Sequence, residues 1–246
     1  MISDFKDLII DKINFRFPGQ KLLLSNISIK VDKGEFISIL GESGVGKSTL
    51  IQILLKFYKT ESGRIFINGT NIETISTVSW RSIIGVVPQK IKIFNSTLID
   101  NICLGDSSVE SDKVQAFCEN YGFDKYFLSL PQGYNTLLGE EGINISGGQQ
   151  QLVALARALY KKPKFLILDE ATSAMDRNTE NFILELFVKL RNEITVLMVT
   201  HRIKTASKSD RIYILENGTI SDSGKPNDLL KYDNFYSLSY NELISS

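Results

Sequence analysis

Apolar residues recur along this chain with two periods, and each predicts a different element. Alternation rich in β-branched and aromatic residues runs through positions 8–17, 25–31 and 64–67, the pattern of half-buried strands. Asn68-Gly69 follows the third segment as a two-residue turn signal, so these segments read as an antiparallel sheet. Shorter, nearly continuous apolar runs at 36–40, 165–168 and 195–199 suit parallel strands covered on both faces. A helical period places Leu50, Ile53, Leu54 and Phe57 on one stripe over 49–57, Leu152, Leu155, Ala156 and Leu159 over 149–160, and Ile183, Leu184, Phe187 and Leu190 over 178–190. Positions 111–130 read as mostly helical, stopped by Pro131-Gln-Gly133. Positions 211–221 read as a hairpin about Asn217-Gly218, and the residues from Pro226 onward as peripheral helix.

The 246 residues suffice for one large α/β domain. The 28 basic residues balance 28 acidic ones, which leaves no electrostatic footprint for nucleic acid. Cys103 and Cys118 are the two cysteines; they make no disulfide framework and read as small buried side chains in a reducing compartment. No run approaches the roughly 18 apolar residues of a membrane helix, and the N-terminus lacks the basic-then-apolar layout of a signal peptide.

Chemistry gathers where apolar runs end. Gly41, Glu42, Ser43, Gly44, Val45, Gly46, Lys47, Ser48 and Thr49 fit the Gly-x-x-x-x-Gly-Lys-Ser/Thr loop between a strand and a helix. Glycines let backbone N–H groups cradle phosphate oxygens, and the helix N-terminus adds positive potential. Lys47 would reach the β- and γ-phosphates of ATP, and Ser48 would ligate Mg²⁺. Asp169 and Glu170 follow the 165–168 run. Asp169 would hold Mg²⁺, through water, and Glu170 would act as general base on an attacking water. His201 is the one histidine; it follows 195–199, and its imidazole can bond a γ-phosphate oxygen. In open parallel sheets ligands bind at the carboxyl edge, so these three signals imply one shared site. Ser146, Gly147 and Gly148 open another helix and form a second anion site. One ATP needs one phosphate loop, so this second site asks for another nucleotide.

Ile145-Ser-Gly-Gly-Gln149 resembles the signature of ABC transporters, with Ile in place of the usual Leu. Over nearly its full length the chain is similar to the nucleotide-binding domain of that family. Within the resemblance, Gln89 in Val86-Val-Pro-Gln89 matches the Q-loop glutamine, a Mg²⁺ and coupling residue. Asp176 in Ser173-Ala-Met-Asp176 matches the D-loop, and His201 the switch histidine. Phe17 stands where the family places an aromatic residue against adenine, usually Tyr; stacking needs only a π face. The resemblance implies an α/β fold: a P-loop NTPase core with a parallel sheet, an N-terminal antiparallel β subdomain and an inserted α-helical subdomain carrying the signature. It implies a single domain over 1–246, with 1–89 and 158–246 as the ATP-binding core and about 90–157 helical. It also implies a head-to-tail homodimer in which Ser146, Gly147, Gly148 and Gln149 contact the partner's ATP.

Positions 93–102 and Gly139-Glu-Glu-Gly142 resemble exporter segments. In exporters these lie beside the membrane domain, so coupling to a transmembrane domain, in the same or another chain, would run through Gln89 and 139–142. The wording of 131–149 is most similar to bacterial bacteriocin or peptide exporters, many of which carry an N-terminal cysteine-peptidase domain. Neither that domain nor membrane helices are in these residues, so the chain reads as an excised domain or a separate subunit. It would work at the cytoplasmic face of the cell membrane, the bacterial inner membrane. A multidrug or lipid exporter is the alternative within the family. A soluble ATPase acting on DNA is disfavoured because positions 49–145 hold no heptad run, and one acting on ribosomes because the chain holds a single such domain.

Overall fold

The three central parallel strands of this protein are buried along their whole length, with the candidate site's loops at their ends. The computed structural model describes residues 5–104 and 111–245; residues 1–4, on which the reading of the N-terminus rests, lie outside the described residues. In chain order the elements are β1 (Asp7–Phe15), β2 (Leu24–Asp32), β3 (Phe36–Leu40), α1 (Lys47–Leu54), β4 (Ser62–Ile67), β5 (Thr70–Asn71), α2 (Thr77–Arg81), β6 (Ile84–Val87), β7 (Ser96–Thr97), α3 (Leu98–Cys103), α4 (Ser111–Tyr121), α5 (Asp124–Phe127), β8 (Leu137–Leu138), α6 (Gly147–Tyr160), β9 (Phe165–Asp169), α7 (Arg177–Lys189), β10 (Thr195–Thr200), α8 (Ile203–Ala206), β11 (Arg211–Glu216), β12 (Thr219–Gly224), α9 (Pro226–Leu229) and α10 (Phe235–Ser245).

The central sheet has the order β12-β11-β3-β10-β9-β6. All neighbours are parallel except the β11–β12 edge pair. Alternate residues of its strands feed two cores. Phe36, Leu166, Leu168, Val196 and Met198 pack with α6, α7 and the helices of the 98–127 region. Ile37, Ile39, Phe165, Ile167, Leu197 and Val199 pack with α1 and the antiparallel sheet. Both faces are covered, which is why β3, β9 and β10 carry almost no polar residue. A third, smaller core joins α8, α9 and α10 to β11 through Ala206, Ile212, Ile214, Leu229 and Tyr236.

The second sheet has the order β2-β1-β4-β5. Its first strand shows how alternation survives an extra residue. Leu8 and Ile10 point into the core and so do Ile13 and Phe15, an offset of one. Lys12, at φ 48, supplies the bulge. Opposite it Gly63 leaves no room for a side chain, since a Cβ there would lie 2.4 Å from the Lys12 carbonyl oxygen. The bulge shifts the register by one, so the same strand face stays buried on both sides of it. Asn68-Gly69 and Asn217-Gly218 turn their hairpins with both residues at positive φ, the geometry of type I′ turns.

Several elements depart from the sequence expectation. The strand read over 8–17 ends at Phe15, and the helix read over 49–57 spans Lys47–Leu54. Phe57 is therefore off the core stripe: it is 60% exposed, with the Arg81 guanidinium 4.2 Å over its ring. The Trp80 indole, fully buried, donates to the Leu54 carbonyl at 2.6 Å and so satisfies one of the acceptors left open at the end of α1. The single helix read over 111–130 is two, α4 and α5, because Gly122 at φ 75 turns the chain between them. The hairpin read to 221 runs to Gly224, and the C-terminal helix is split into α9 and α10. Cys118 is buried, its thiol pushed up to about 12 by burial, whereas Cys103 is only half-buried.

Candidate functional site

The phosphate loop owes its shape to three glycines. Gly41 follows β3 so closely under β11 that a Cβ would lie 2.2 Å from the Leu215 carbonyl oxygen. Gly44 and Gly46 take φ 86 and 106, values that side-chain-bearing residues avoid. Gly46 also sits against Leu24, whose Cδ2 would be 2.7 Å from a Cβ there. As the N-cap of α1 it offers no side-chain acceptor to the first-turn N–H groups. An uncapped helix start behind a glycine loop is an anion seat. Lys47 is 5% exposed and folds back along the loop, its Nζ donating to the carbonyls of Gly41 (2.8 Å) and Glu42 (2.6 Å). Burial lowers its pKa, while the Glu170 and Asp169 carboxylates act the other way. The helix begins two residues earlier than read, so Ser48 and Thr49 stand in its first turn.

Asp169 ends β9 and is itself buried. The Ser48 hydroxyl donates to its Oδ1 at 3.2 Å. Burial is the largest influence on its carboxyl and raises its pKa; the Ser48 bond opposes this, Glu170 adds to it, and Lys47 opposes it.

The next residue, Glu170, leaves the strand at φ 51, a strained region for a residue with a long side chain. Its N–H donates to the Val199 carbonyl at 2.9 Å. That turn places the carboxylate between two partners. The Gln89 amide, just past β6, donates to Oε2 at 3.0 Å, and His201 Nδ1, just past β10, lies 3.2 Å from Oε1. Glu170 is largely covered, whereas the His201 side chain is 55% exposed. The carboxyl ends of β3, β9 and β10 and the exit of β6 thus bring Lys47, Ser48, Asp169, Glu170, Gln89 and His201 into one hydrogen-bonded and charge-coupled group.

The other glycine-opened helix caps its own start. Ser146 caps α6 at φ −60, ψ 158. Its Oγ accepts from the Gln149 N–H (3.2 Å), and the Gln149 side chain accepts from the Ser146 N–H (2.9 Å), a reciprocal capping box. Gly147 and Gly148 let this helix start lie against the segment after Glu170. A Cβ would come within 3.0 Å of the Ala174 Cβ at the first and of its carbonyl oxygen at the second. Ser146 and Gly147 are exposed. Among the described residues, none of the hydrogen bonds of Ser146–Gln149 reaches the phosphate loop, Asp169 or Glu170.

Asp176 caps α7, accepting from the N–H groups of Asn178 (2.9 Å) and Thr179 (3.1 Å) and from the Thr179 hydroxyl (2.7 Å). These donors hold its carboxyl below the usual carboxylate range. Phe17 lies past the end of β1, its ring edge-on to Phe15 at 5.1 Å and to Tyr58 at 5.4 Å. The 93–102 and 139–142 segments, separate in sequence, meet. β7 pairs with β8, and the Asn95 amide oxygen accepts from the Glu140 N–H at 2.7 Å. Gly139 makes room for that side chain at φ 97. Arg157 on α6 ties the same region down, donating to the carbonyls of Asn101 (2.7 Å) and Lys92 (3.0 Å).

Sequence reasoning missed Gln151. It is buried on α6 and bonds the backbone of Glu170, in the acidic pair, and of Ala174 beyond it. The available signal was a glutamine lying four residues before Leu155 on the apolar stripe, where a polar residue needs a partner.

Residues 24–173 match the family model described as ABC transporter. The chain is 38% identical over 244 residues to the toxin RTX-III translocation ATP-binding protein of Actinobacillus pleuropneumoniae, covering 98% of this chain and 34% of that protein. It is 37% identical over 225 residues to YgaD of Bacillus subtilis (strain 168), a protein named for multidrug export, covering 91% of this chain and 39% of that protein. The chain therefore spans little more than a third of the length of these relatives. A solved structure of a bacterial Atm1-family ABC exporter with ATP bound matches it with a TM-score of 0.92 at 34% identity, over 100% of this chain and 43% of that one.

Proposed function

The chain belongs to the ABC transporter family and is its ATPase domain; on that premise we propose that it powers an exporter as one half of a head-to-tail pair. One observation carries this reading. Around Lys47, Ser48 bonds Asp169 and Glu170 bonds Gln89 and His201, while the helix start at Ser146 is capped on itself and shares no bond with them. A nucleotide on the phosphate loop is served by this chain's Lys47, Ser48, Asp169, Glu170 and His201. Ser146, Gly147, Gly148 and Gln149 are left to meet the γ-phosphate of a partner's nucleotide.

The chemistry follows from the arrangement. The loop N–H groups and Lys47 hold the β- and γ-phosphates. Ser48 Oγ and Asp169 Oδ1 lie 3.2 Å apart, and oxygen donors are the chemistry that Mg²⁺ takes. Ser48, Gln89 and, through water, Asp169 would hold Mg²⁺, which would neutralise phosphate charge. Glu170 takes a proton from the attacking water as its oxygen bonds the γ-phosphorus, the γ-phosphorus–bridging-oxygen bond breaks, and ADP leaves with that electron pair. His201 donates a hydrogen bond to a γ-phosphate oxygen and loses that partner when phosphate departs. Phe17 stacks on adenine, its ring being partly exposed beside Tyr58.

Coupling to a transmembrane domain, in the same or another chain, runs through Gln89 and the joined 93–102 and 139–142 segments, at the cytoplasmic face of the membrane. The cargo is a peptide or bacteriocin, with a peptidase domain as a further partner. The relative named for toxin translocation supports a polypeptide cargo. The relative named for multidrug export favours a second reading, a small-molecule exporter. The pairing is tested by mixing two inactive proteins, Ser146→Arg and Lys47→Ala. A mixed pair contains one intact composite site, so turnover returns to roughly a quarter of the unmutated level at equal mixing, on random pairing with independent sites. No recovery at saturating protein and ATP overturns the pairing.

A further inference from the structure

Gln151 is a primary amide, 4% exposed, on a helix whose other inward residues are aliphatic. Burying such a group without partners is costly, and here nearly every bond it can make is made. Its Nε2 donates to the Glu170 carbonyl at 3.3 Å and to the Ser173 hydroxyl at 3.1 Å, and its Oε1 accepts from the Ala174 N–H at 3.1 Å. The Glu170 carbonyl also accepts from the Ser173 N–H at 3.1 Å. On the far side of the same turn, Arg202 donates to the Ser173 carbonyl at 3.1 Å and pairs with Glu180 at 3.1 Å. The turn is therefore gripped from α6 on one side and from the residue after His201 on the other.

What this grip holds is the unusual backbone of Glu170. Without the Gln151 amide the Glu170 carbonyl keeps only the Ser173 N–H, and a residue at φ 51 with one tether fewer would hold its carboxylate less firmly between Gln89 and His201. We propose that Gln151 is a positioning residue for the hydrolytic step: it fixes the backbone of Glu170 and ties it to the helix opened by Ser146, so the aim of the base follows the position of that helix. This rests on the reading of Glu170 as general base.

The test is a double-mutant cycle with Gln151→Met, which keeps the size and removes the amide, and Glu170→Gln. Gln151→Met is expected to lower kcat for ATP about tenfold, the scale of misplacing a catalytic group, while ATP affinity by equilibrium dialysis moves less than twofold. In the Glu170→Gln protein the same change is expected to cost nothing further, because the group it aims is gone. A kcat within twofold of the unmutated protein overturns the proposal, as does a fall in ATP affinity in step with kcat, or a loss that multiplies with that of Glu170→Gln. If Glu170→Gln alone keeps near-normal turnover, the reading of the base fails instead. Should Gln151→Met unfold at assay temperature, Gln151→Glu, which keeps an acceptor for the Ala174 N–H, is measured against the same criteria.

Discussion

Around Lys47, segments far apart in sequence meet at the ends of buried strands, and their side chains bond to one another. At Ser146, a four-residue helix start is closed by the reciprocal bonds of its first and last residues, and Ser146 and Gly147 are exposed. In the first region the shape is held by a core on each side of the sheet, so a charged lysine and two carboxylates can be kept close together and partly dry. In the second the shape is held by a capping box and two glycines, and the surface stays open. A site assembled by tertiary packing can carry the chemistry of hydrolysis. A site assembled by local capping can be presented to another molecule.

The sharpest way to break this comparison is Glu170→Gln. Turnover at saturating ATP should fall by about 10²–10⁴, with ATP binding retained in equilibrium dialysis. Hydrolysis within tenfold of normal would show that the Lys47 region lacks the role given to it. A smaller effect separates the two glycine loops by packing. Gly41→Ala drives a Cβ to 2.2 Å from a backbone oxygen and should cost about 1–3 kcal/mol, read as a drop of several degrees in Tm. Gly148→Ala meets its neighbour at 3.0 Å and gains about 1 kcal/mol of helix propensity, so its Tm should move less. The reverse ranking would mean that the signature turn is the more tightly packed region.

The smallest effect is one of pH. Burial raises the Asp169 carboxyl above its ordinary 3.8, so the folded, nucleotide-free protein holds that proton more tightly than the unfolded chain. Stability from this group is fully present below 3.8 and declines as pH rises through the raised folded value. Asp169→Asn should remove that part of the slope in denaturant titrations repeated across the window. An unchanged slope would show that Asp169 is not under desolvation strain.

Much of this was legible in the sequence because it is local. Asn68-Gly69 and Asn217-Gly218 turn where their φ preferences require, and Ser146 caps the helix it precedes. The loop 41–49 announces itself by spacing. Other features depend on distant partners. β6 is not legible in the sequence because four residues beside a proline and a glutamine carry little periodicity, and their strand character comes from pairing with β9. The six-residue α3, with its Thr97–Asp100 capping box, is too short for a helical period to show. The break at Gly122 was hidden by an apolar pattern that continues across it, since α4 and α5 face the same core.

By itself the sequence determined which residues could handle phosphate, because a glycine loop, a strand-end acid pair and a capped glycine turn are properties of neighbouring residues. The tertiary structure decided which of them act together. Only packing could bring Gln89 and His201 onto the two oxygens of Glu170, set Glu170 in its left-handed turn under Gln151, and leave the Ser146 helix start outside that group, because those contacts join residues 19 to 81 positions apart and held by different strands and helices.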